Sequence, residues 1–299
     1  MKKALILVLV AVVCLVAYYT WSFADGDFIS GGAMITDTVE SIDIEWTSGS
    51  VTVAYHDADT VILEETSDRP INGDDRMRWK MDGKTLVVEY NTPALLRFFS
   101  PTKALTVTLP KDICLKKAEI IATSADINAP ELKADEVVLG STSGSVNAAV
   151  TAPTVYGEST SGDVALKLNG KVDNVKMGST SGRLSLILEE AARAELGTTS
   201  GGIRLEAENI GQADLGSTSG DISVKVKNFE QMKIGATSGS VNAELFADPG
   251  FSAKVSTTSG GFDSALAMSK NGDLWSCGNG SGKLEISTTS GDVKLTELK

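Results

Sequence analysis

A short phrase recurs through most of this 299-residue chain and limits the fold more than any other feature. One copy, from Leu215 to Val226, reads LGSTSGDISVKV. The copies place a turn glycine at Gly144, Gly162, Gly182, Gly201, Gly220, Gly239, Gly260 and Gly291, and a degenerate first copy has Ala125 there. The successive steps are 19, 18, 20, 19, 19, 19, 21 and 31 residues. A nearly fixed period in this range is typical of stacked repeats, in which each unit contacts mainly its neighbours.

Apolar residues alternate within each repeat, which is the pattern of a half-buried β-strand. In the copy at Gly182, Val175 and Met177 lie on one parity before the turn, and Leu184, Leu186 and Leu188 follow it. A two-stranded unit cannot bury its apolar face alone, so neighbouring repeats must complete the core. We therefore predict an all-β fold, a single-stranded, right-handed parallel β-solenoid (β-helix) with about 19 residues per coil.

The turn residues Ser-Thr-Ser-Gly have separate predicted roles. Both serines share the apolar parity, so we expect them inside, where their hydroxyls can satisfy turn amides. The glycine is expected to supply either a left-handed residue or a tightly packed bend. The threonines between the serines are expected to form one exposed column, at Thr142, Thr160, Thr180, Thr199, Thr218, Thr237, Thr258 and Thr289.

The chain begins with an apolar segment that allows two interpretations. Two lysines precede an uncharged run from Ala4 to Ala24 that ends in aromatic residues. As a membrane anchor the run is just long enough to span a bilayer, with aromatics at the outer interface. As a signal peptide it ends in a small-x-small cleavage site at Ser22 to Ala24. A lipoprotein site at Cys14 is disfavoured because Val13 stands where a small residue is needed.

We favour the anchor, which predicts a single-pass bacterial membrane protein with an extracytoplasmic C-terminal part, or a secreted protein if the segment is cleaved. The expected organisation is an anchor or signal helix at 1–24, a linker at 25–34, an N-terminal β region at 35–112 that caps the solenoid, and repeats at 113–299. A hairpin insertion at 262–283 is expected to cover the last coil. Within the cap, we expect a loop from Asn91 to Thr102 with an exposed apolar cluster of Leu95, Leu96, Phe98 and Phe99.

Charge and single-residue counts exclude several kinds of site. The net charge of −12 argues against nucleic acid as a partner and against charge-driven binding to anionic lipid. His56 is the only histidine, so neither a histidine-based triad with a metal nor a multi-histidine zinc site can be built. Cys114 and Cys277 are expected to be unpaired, because several coils separate them by more than disulfide reach.

Aspartate follows the turn glycine at Asp163, Asp221 and Asp292, and repeated aspartates beside glycines are a feature of calcium-binding β-rolls. Arg183 and Gly202 interrupt this column, whereas calcium needs six or more oxygen ligands. We therefore expect no metal and no cofactor.

Several segments carry a family resemblance. They are the repeated phrases from Ser159 to Val164 and from Ser217 to Ile222, the closing KLEISTTSGDV from Lys283 to Val293, and Leu109-Pro110 before the first coil. Over about Val39 to Leu298 the chain resembles the bacterial "putative adhesin" family of β-strand-repeat (TSG-repeat) proteins, a domain of unknown function. This resemblance implies an envelope-associated β-solenoid, often behind a single N-terminal membrane segment. It implies no catalytic residue.

Three classes of function remain. The first is a non-enzymatic, membrane-tethered adhesin or envelope scaffold that binds a protein or glycan. The second is an extracytoplasmic sensor or regulatory partner of a membrane signalling or envelope-stress system, docking through Leu95 to Phe99 or the N-terminal helix. An enzyme is disfavoured, because no nucleophile, base and orienting group occur together. The threonine column could bind ice or a glycan, although threonine is also simply a good exposed strand residue.

Overall fold

A computed structural model describes residues 28–71, 73–91 and 101–298. Its regular structure is β-strand apart from a short 3-10 turn at Gly73–Asp75, so the predicted all-β class is confirmed. In this part of the chain no helix is long and apolar enough to cross a bilayer. The apolar segment at 1–24 and the cluster of Leu95, Leu96, Phe98 and Phe99 lie outside the described residues.

The strands are β1 (Ile29–Ser30), β2 (Ala33–Ile35), β3 (Ser41–His56), β4 (Val61–Ser67), β5 (Arg78–Asp82), β6 (Thr85–Glu89), β7 (Lys103–Pro110), β8 (Leu115–Ser141), β9 (Val146–Thr151), β10 (Thr154–Ser159), β11 (Val164–Ser179), β12 (Leu184–Thr198), β13 (Ile203–Ser217), β14 (Ile222–Ala236), β15 (Val241–Leu245), β16 (Gly250–Thr257), β17 (Phe262–Ser264), β18 (Ser269–Asn271), β19 (Leu274–Gly278), β20 (Gly282–Thr288) and β21 (Val293–Glu297).

Equivalent segments of successive repeats pair in parallel. Leu184 pairs with Ile203, Ile203 with Ile222, and Ile222 with Val241, an offset of one repeat each time. Each coil gives one segment before the Ser-Thr-Ser-Gly turn, which we call the pre-turn sheet, and one after it, the post-turn sheet. Alternate side chains fill the space between them: Leu186 is fully buried, while its neighbour Ile187 is 41% exposed.

At the N-terminal end, β3 is itself a coil of the stack. It pairs in parallel with β8 on one side and with β6 and β7 on the other. Beyond β6 and β7 the sheets continue as antiparallel strands, first β5 and β4, then β1 and β2 at the two outer edges. The first described residues of the chain therefore close this end.

At the C-terminal end the coils do not stack in sequence order. Strand β20 lies between β14 and β16, and β21 lies between β15 and β17, so the last coil is inserted one place before the end. The hairpin of β18 and β19 pairs antiparallel with β16 and so covers the coil of Gly260, not the last coil in sequence as we expected. The more regular coil, which carries Gly291, occupies a position with parallel neighbours on both sides, and the diverged coil takes the edge.

Cys114 and Cys277 are free thiols, one exposed just before β8 and one buried on β19. Burial raises the pKa of the Cys277 thiol, and Glu297 adds to this effect, which disfavours the reactive thiolate.

Candidate functional site

The buried hydroxyl before each turn binds two coils together. Ser217 Oγ accepts a hydrogen bond from Gly220 N (2.8 Å) and donates one to Gly201 O of the preceding coil (3.2 Å). Ser141 and Thr288 make the same pair of bonds in their coils. The predicted inward position is right for this first serine. The second serine, such as Ser219, is exposed, because the chain leaves the extended conformation at the turn and the alternation of faces is lost.

The turn glycines are required by packing and not by a left-handed backbone. None of Gly144, Gly162, Gly182, Gly201, Gly220, Gly239, Gly260 and Gly291 has a positive φ. A Cβ on Gly220 would lie 1.8 Å from Gly201 O, far inside contact distance. Of the two expected roles for this glycine, the structure shows the tightly packed bend.

The aspartates after the turn also have a structural role. Asp221 Oδ1 accepts a hydrogen bond from Ser240 N (2.8 Å), and Asp292 Oδ1 accepts one from Gly261 N (2.7 Å). Each carboxylate thus caps an amide of the next coil in space, which accounts for aspartate at this position. The described residues contain no group of three or more histidine, cysteine, aspartate or glutamate side chains placed to hold a metal ion.

The threonine column follows one corner of the stack. Six members are exposed, namely Thr142, Thr160, Thr218, Thr237, Thr258 and Thr289, whereas Thr180 and Thr199 are half-buried. The Oγ1 atom of Thr180 is buried and has no hydrogen-bond partner in the described structure. The column therefore offers hydroxyl groups at regular spacing, with two positions partly covered.

A strip of bare backbone runs beside this column on the outer face of the pre-turn sheet. Gly178, Gly197, Gly216 and Gly235 pair with one another in successive coils, two residues before the threonines. A Cβ on Gly216 would meet no atom within 4 Å, and its φ is not positive, so neither packing nor backbone geometry demands glycine there. Glycine inside a strand often marks a bulge, a tight bend, or the close approach of a ligand or another backbone. The pairing of these four glycines is continuous, so a bulge is not the reason here.

Charged side chains border the strip on its other side. Lys176, Glu195, Asp214 and Lys233 succeed one another in register two residues before the glycines. Lys176 Nζ lies 3.4 Å from Glu195 Oε1. The face thus combines hydroxyls, half-buried backbone without side chains and a row of charged side chains. These features extend over four neighbouring coils, which is about 15 Å of the stack at the usual strand spacing.

A row of carboxylates lies on the same sheet near the N-terminal end. Asp43 pairs with Glu119 and Glu45 with Glu89 on adjacent strands. Burial, with a smaller contribution from the like charge of Glu119, raises the pKa of Asp43 to about 6, and burial together with Asp43 raises the pKa of Glu45 to about 7. Two cations balance the outer members: Arg78 Nε lies 2.7 Å from Glu89, and Lys117 Nζ lies 2.6 Å from Glu119.

A buried ion pair, which sequence patterning did not indicate, holds the N-terminal region together. Lys103 is fully buried, and its Nζ lies 3.0 Å from Glu65 Oε1 and 4.4 Å from the Tyr90 ring centre. Lys103 also donates to Asn91 O (3.0 Å), and the Tyr90 hydroxyl donates to Pro101 O. These bonds fix the two ends of the segment that carries the predicted apolar cluster.

Comparison with known proteins identifies the family. The family model described as Toastrack DUF4097 matches residues 39–296. The chain belongs to this Toastrack family. No curated protein sequence matches the chain.

Two solved structures resemble this Toastrack chain, both from Parabacteroides distasonis ATCC 8503. A "putative adhesin" is 13% identical, with a TM-score of 0.53, and a "putative lipid binding protein" is 16% identical, with a TM-score of 0.52. Each match covers 92% of this chain and 98% of the other. At these identities the likeness shows a shared fold.

Proposed function

We propose that this Toastrack protein is a non-enzymatic scaffold tethered to the outer side of a bacterial membrane, which binds a glycan or protein of the envelope or of another surface. In this proposal the repeats form the predicted right-handed solenoid, and the apolar segment at 1–24 is the tether. No catalytic group, metal or cofactor is part of the proposed activity.

The observation that carries the proposal is the glycine strip beside the threonine column. At Gly216 a side chain would fit without contact, so the bare backbone is not explained by folding. A flat ligand can lie on such a strip and use the hydroxyls of Thr218 and Thr237 as donors and acceptors. Repetition of the same groups in successive coils suits a ligand that is itself repetitive, such as a polysaccharide.

Binding of the full chain in lipid nanodiscs to isolated cell-wall sacculi and to a glycan array would test this. Gly216→Lys places a long cation on the strip and should lower binding at least about tenfold, which is the effect of about 1.4 kcal/mol. Ser223→Lys adds the same charge to the same coil at an exposed position of the post-turn sheet. This control should bind normally. Equal binding by both variants would exclude the strip as the ligand site.

A sensor or regulatory partner is the second candidate, favoured by the clamp around residues 91–101. Lys103 donates to Asn91 O and Tyr90 donates to Pro101 O, so these side chains bind the described residues on either side of the segment that carries Leu95, Leu96, Phe98 and Phe99. A pull-down from membranes with the full chain and with a Leu95→Asp, Phe98→Asp variant would test it. Loss of one specific partner, with Gly216→Lys retaining that partner, would support docking through the N-terminal region.

A further inference from the structure

The outer edge of the N-terminal end consists of the residues that directly follow the apolar segment. Strands β1 and β2 are the last strands of the two sheets at this end, and Gly31 and Gly32 join them in a tight arch. Gly31 has a φ of 90°, and a Cβ on Gly32 would lie 2.8 Å from Leu63 O, so the arch is held closely against β4.

The distance to a tethering bilayer is correspondingly short. Only residues 25–27 separate the uncharged run ending at Ala24 from Phe28, the first described residue. Four fully extended steps span at most about 14 Å, and the headgroup layer is itself several ångströms thick. If the segment at 1–24 is retained, this end of the stack must lie at the level of the lipid headgroups.

The surface of this end has the chemistry of a membrane interface. Met34 is 67% exposed and Ile29 is 53% exposed. The Phe28 ring is flanked by Arg78, whose Cζ lies 4.7 Å from its centre, and Lys80, whose Nζ lies 4.5 Å away. Apolar and aromatic side chains beside cations are typical of the boundary between headgroups and acyl chains.

An open cavity lies at the same end, beside the arch. Glu65, Ser67, Asp68, Arg69, Pro70, Ile71 and Arg76 line it. The charge of Glu65 is compensated by Lys103 behind it, and Asp68 lies 3.6 Å from Arg69. A Cβ on Gly31 would lie 3.6 Å from Arg76 Nη1, which places this exposed guanidinium directly under the arch. Two arginines and two apolar residues suit a phosphate joined to an acyl chain.

We propose that the N-terminal end of the stack lies on the bilayer, with Met34 and Ile29 at the headgroup boundary and a phospholipid phosphate held between Arg69 and Arg76. The inference rests on the proposed tethering. It adds that the stack stands on its end at the membrane, so that the glycine strip is carried away from the lipid surface. The overall charge of −12 argues against attraction to an anionic surface, but the cavity lining holds two arginines and two carboxylates, and the Glu65 carboxylate is already paired with Lys103. The proposed contact therefore rests on local groups and not on the net charge.

Nitroxide labelling of the full chain in phosphatidylcholine and phosphatidylglycerol nanodiscs tests the contact. A background with Cys14, Cys114 and Cys277 replaced by serine would carry Met34→Cys or, as a matched control near the C-terminal end of the stack, Thr237→Cys. The label at 34 should be several-fold less accessible to a water-soluble nickel quencher than the label at 237. It should also be several-fold more accessible to oxygen. Far-ultraviolet circular dichroism would confirm that each variant folds.

The cavity is tested by adding Arg69→Gln and Arg76→Gln to the Met34→Cys chain. Loss of shielding at 34 in these arginine variants, with the chain still in the nanodisc, would support a lipid phosphate. Added inorganic phosphate should leave the shielding of the parent unchanged. Loss of shielding on adding inorganic phosphate to the parent would instead indicate a site for free phosphate and overturn the lipid assignment. Equal nickel accessibility at 34 and 237 would overturn the end-on contact. Failure of the chain to enter nanodiscs at all would instead contradict the tether.

Discussion

Thr288 donates its hydroxyl hydrogen to the carbonyl oxygen of Gly239 at 3.3 Å, although 49 residues separate the two in sequence. Gly291 of the same coil packs on Gly239 O as well, and Gly260 packs on Gly291 O. The last coil of the chain is therefore held on both sides by earlier coils. Neither edge of its strands is left open to recruit another chain.

We predict that removal of residues 282–299 disrupts far more than one repeat. Ordinary repeat arrays lose roughly one unit of stability when an end repeat is deleted. Here the deletion removes an internal coil, so β14 and β15 lose a partner and the coil of β16 and β17 loses its parallel neighbour. Limited proteolysis and denaturation should show loss of the C-terminal coils and a lowered midpoint. An unchanged midpoint for residues 1–281 would contradict the inserted coil order.

Periodicity was sufficient to predict the strands, the buried face and the tight glycine turn, because these depend on local alternation and on a repeated corner. Leu186 and the turn at Gly220 are examples. The order of the coils could not be predicted, because every copy has nearly the same edge and pairing between neighbours in sequence is only the default. In space the coil of Gly291 comes before the coil of Gly260, although it follows it in sequence. This order depends on which of the two coils tolerates the edge of the stack, and the repeat pattern does not indicate that.

The candidate surface was partly predictable. The exposed positions Thr218 and Thr237 followed from parity, but the outward turn of Ser219 did not, because parity has no meaning once the chain leaves the strand. The Lys103–Glu65 pair was missed because a single lysine in an alternating strand gives no sign of burial. Only the fold shows that Glu65 on β4 and Lys103 on β7 meet inside the N-terminal region.

Two glycines of one coil should respond oppositely to alanine. Gly220→Ala would place a Cβ 1.8 Å from Gly201 O and should cost about 3 kcal/mol or more through overpacking. Gly216→Ala meets open space and should be neutral or stabilise by up to about 1 kcal/mol, since it restricts the unfolded chain. Chemical denaturation of both variants decides this. A larger loss for Gly216→Ala would show that the strip has a structural role.

The buried hydroxyls before the turns can be tested by removing one in one coil and adding one at the equivalent position of the next coil. Ser217→Ala removes the bridge between Gly220 N and Gly201 O and should cost about 1–3 kcal/mol, because both groups are buried. Ala236 occupies the same place in the next coil, above Gly220 O and before Gly239. Ala236→Ser should supply the missing bridge and raise the unfolding midpoint. A midpoint below that of the parent would mean that the corner has no room for the oxygen.

Stability should fall as the pH rises through the range in which Asp43 and Glu45 ionise. Their folded pKa values, about 6 and about 7, lie above the ordinary values of 3.8 and 4.5, so between these limits the folded state binds more protons than the unfolded state. Stability is then highest at the acidic end of the window and falls toward pH 8. The expected change is about 2 kcal/mol, allowing for partial exposure. Asp43→Asn combined with Glu45→Gln should flatten the profile measured by denaturant titration at pH 5 to 8, and an unchanged slope would reject this assignment.

Lys103→Met should be among the most destabilising changes in the N-terminal region. It leaves the Glu65 carboxylate, whose side chain is only 3% exposed, without its cation, and breaking a buried pair on one side costs about 3–5 kcal/mol. Glu65 also accepts hydrogen bonds from Met77 N at 2.9 and 3.0 Å, and a glutamine oxygen could keep this contact. The double variant Lys103→Met, Glu65→Gln should therefore recover much of the loss. Urea denaturation of the parent, the single and the double variants measures this, and a double variant less stable than Lys103→Met would show that the ion pair is not the source of the cost.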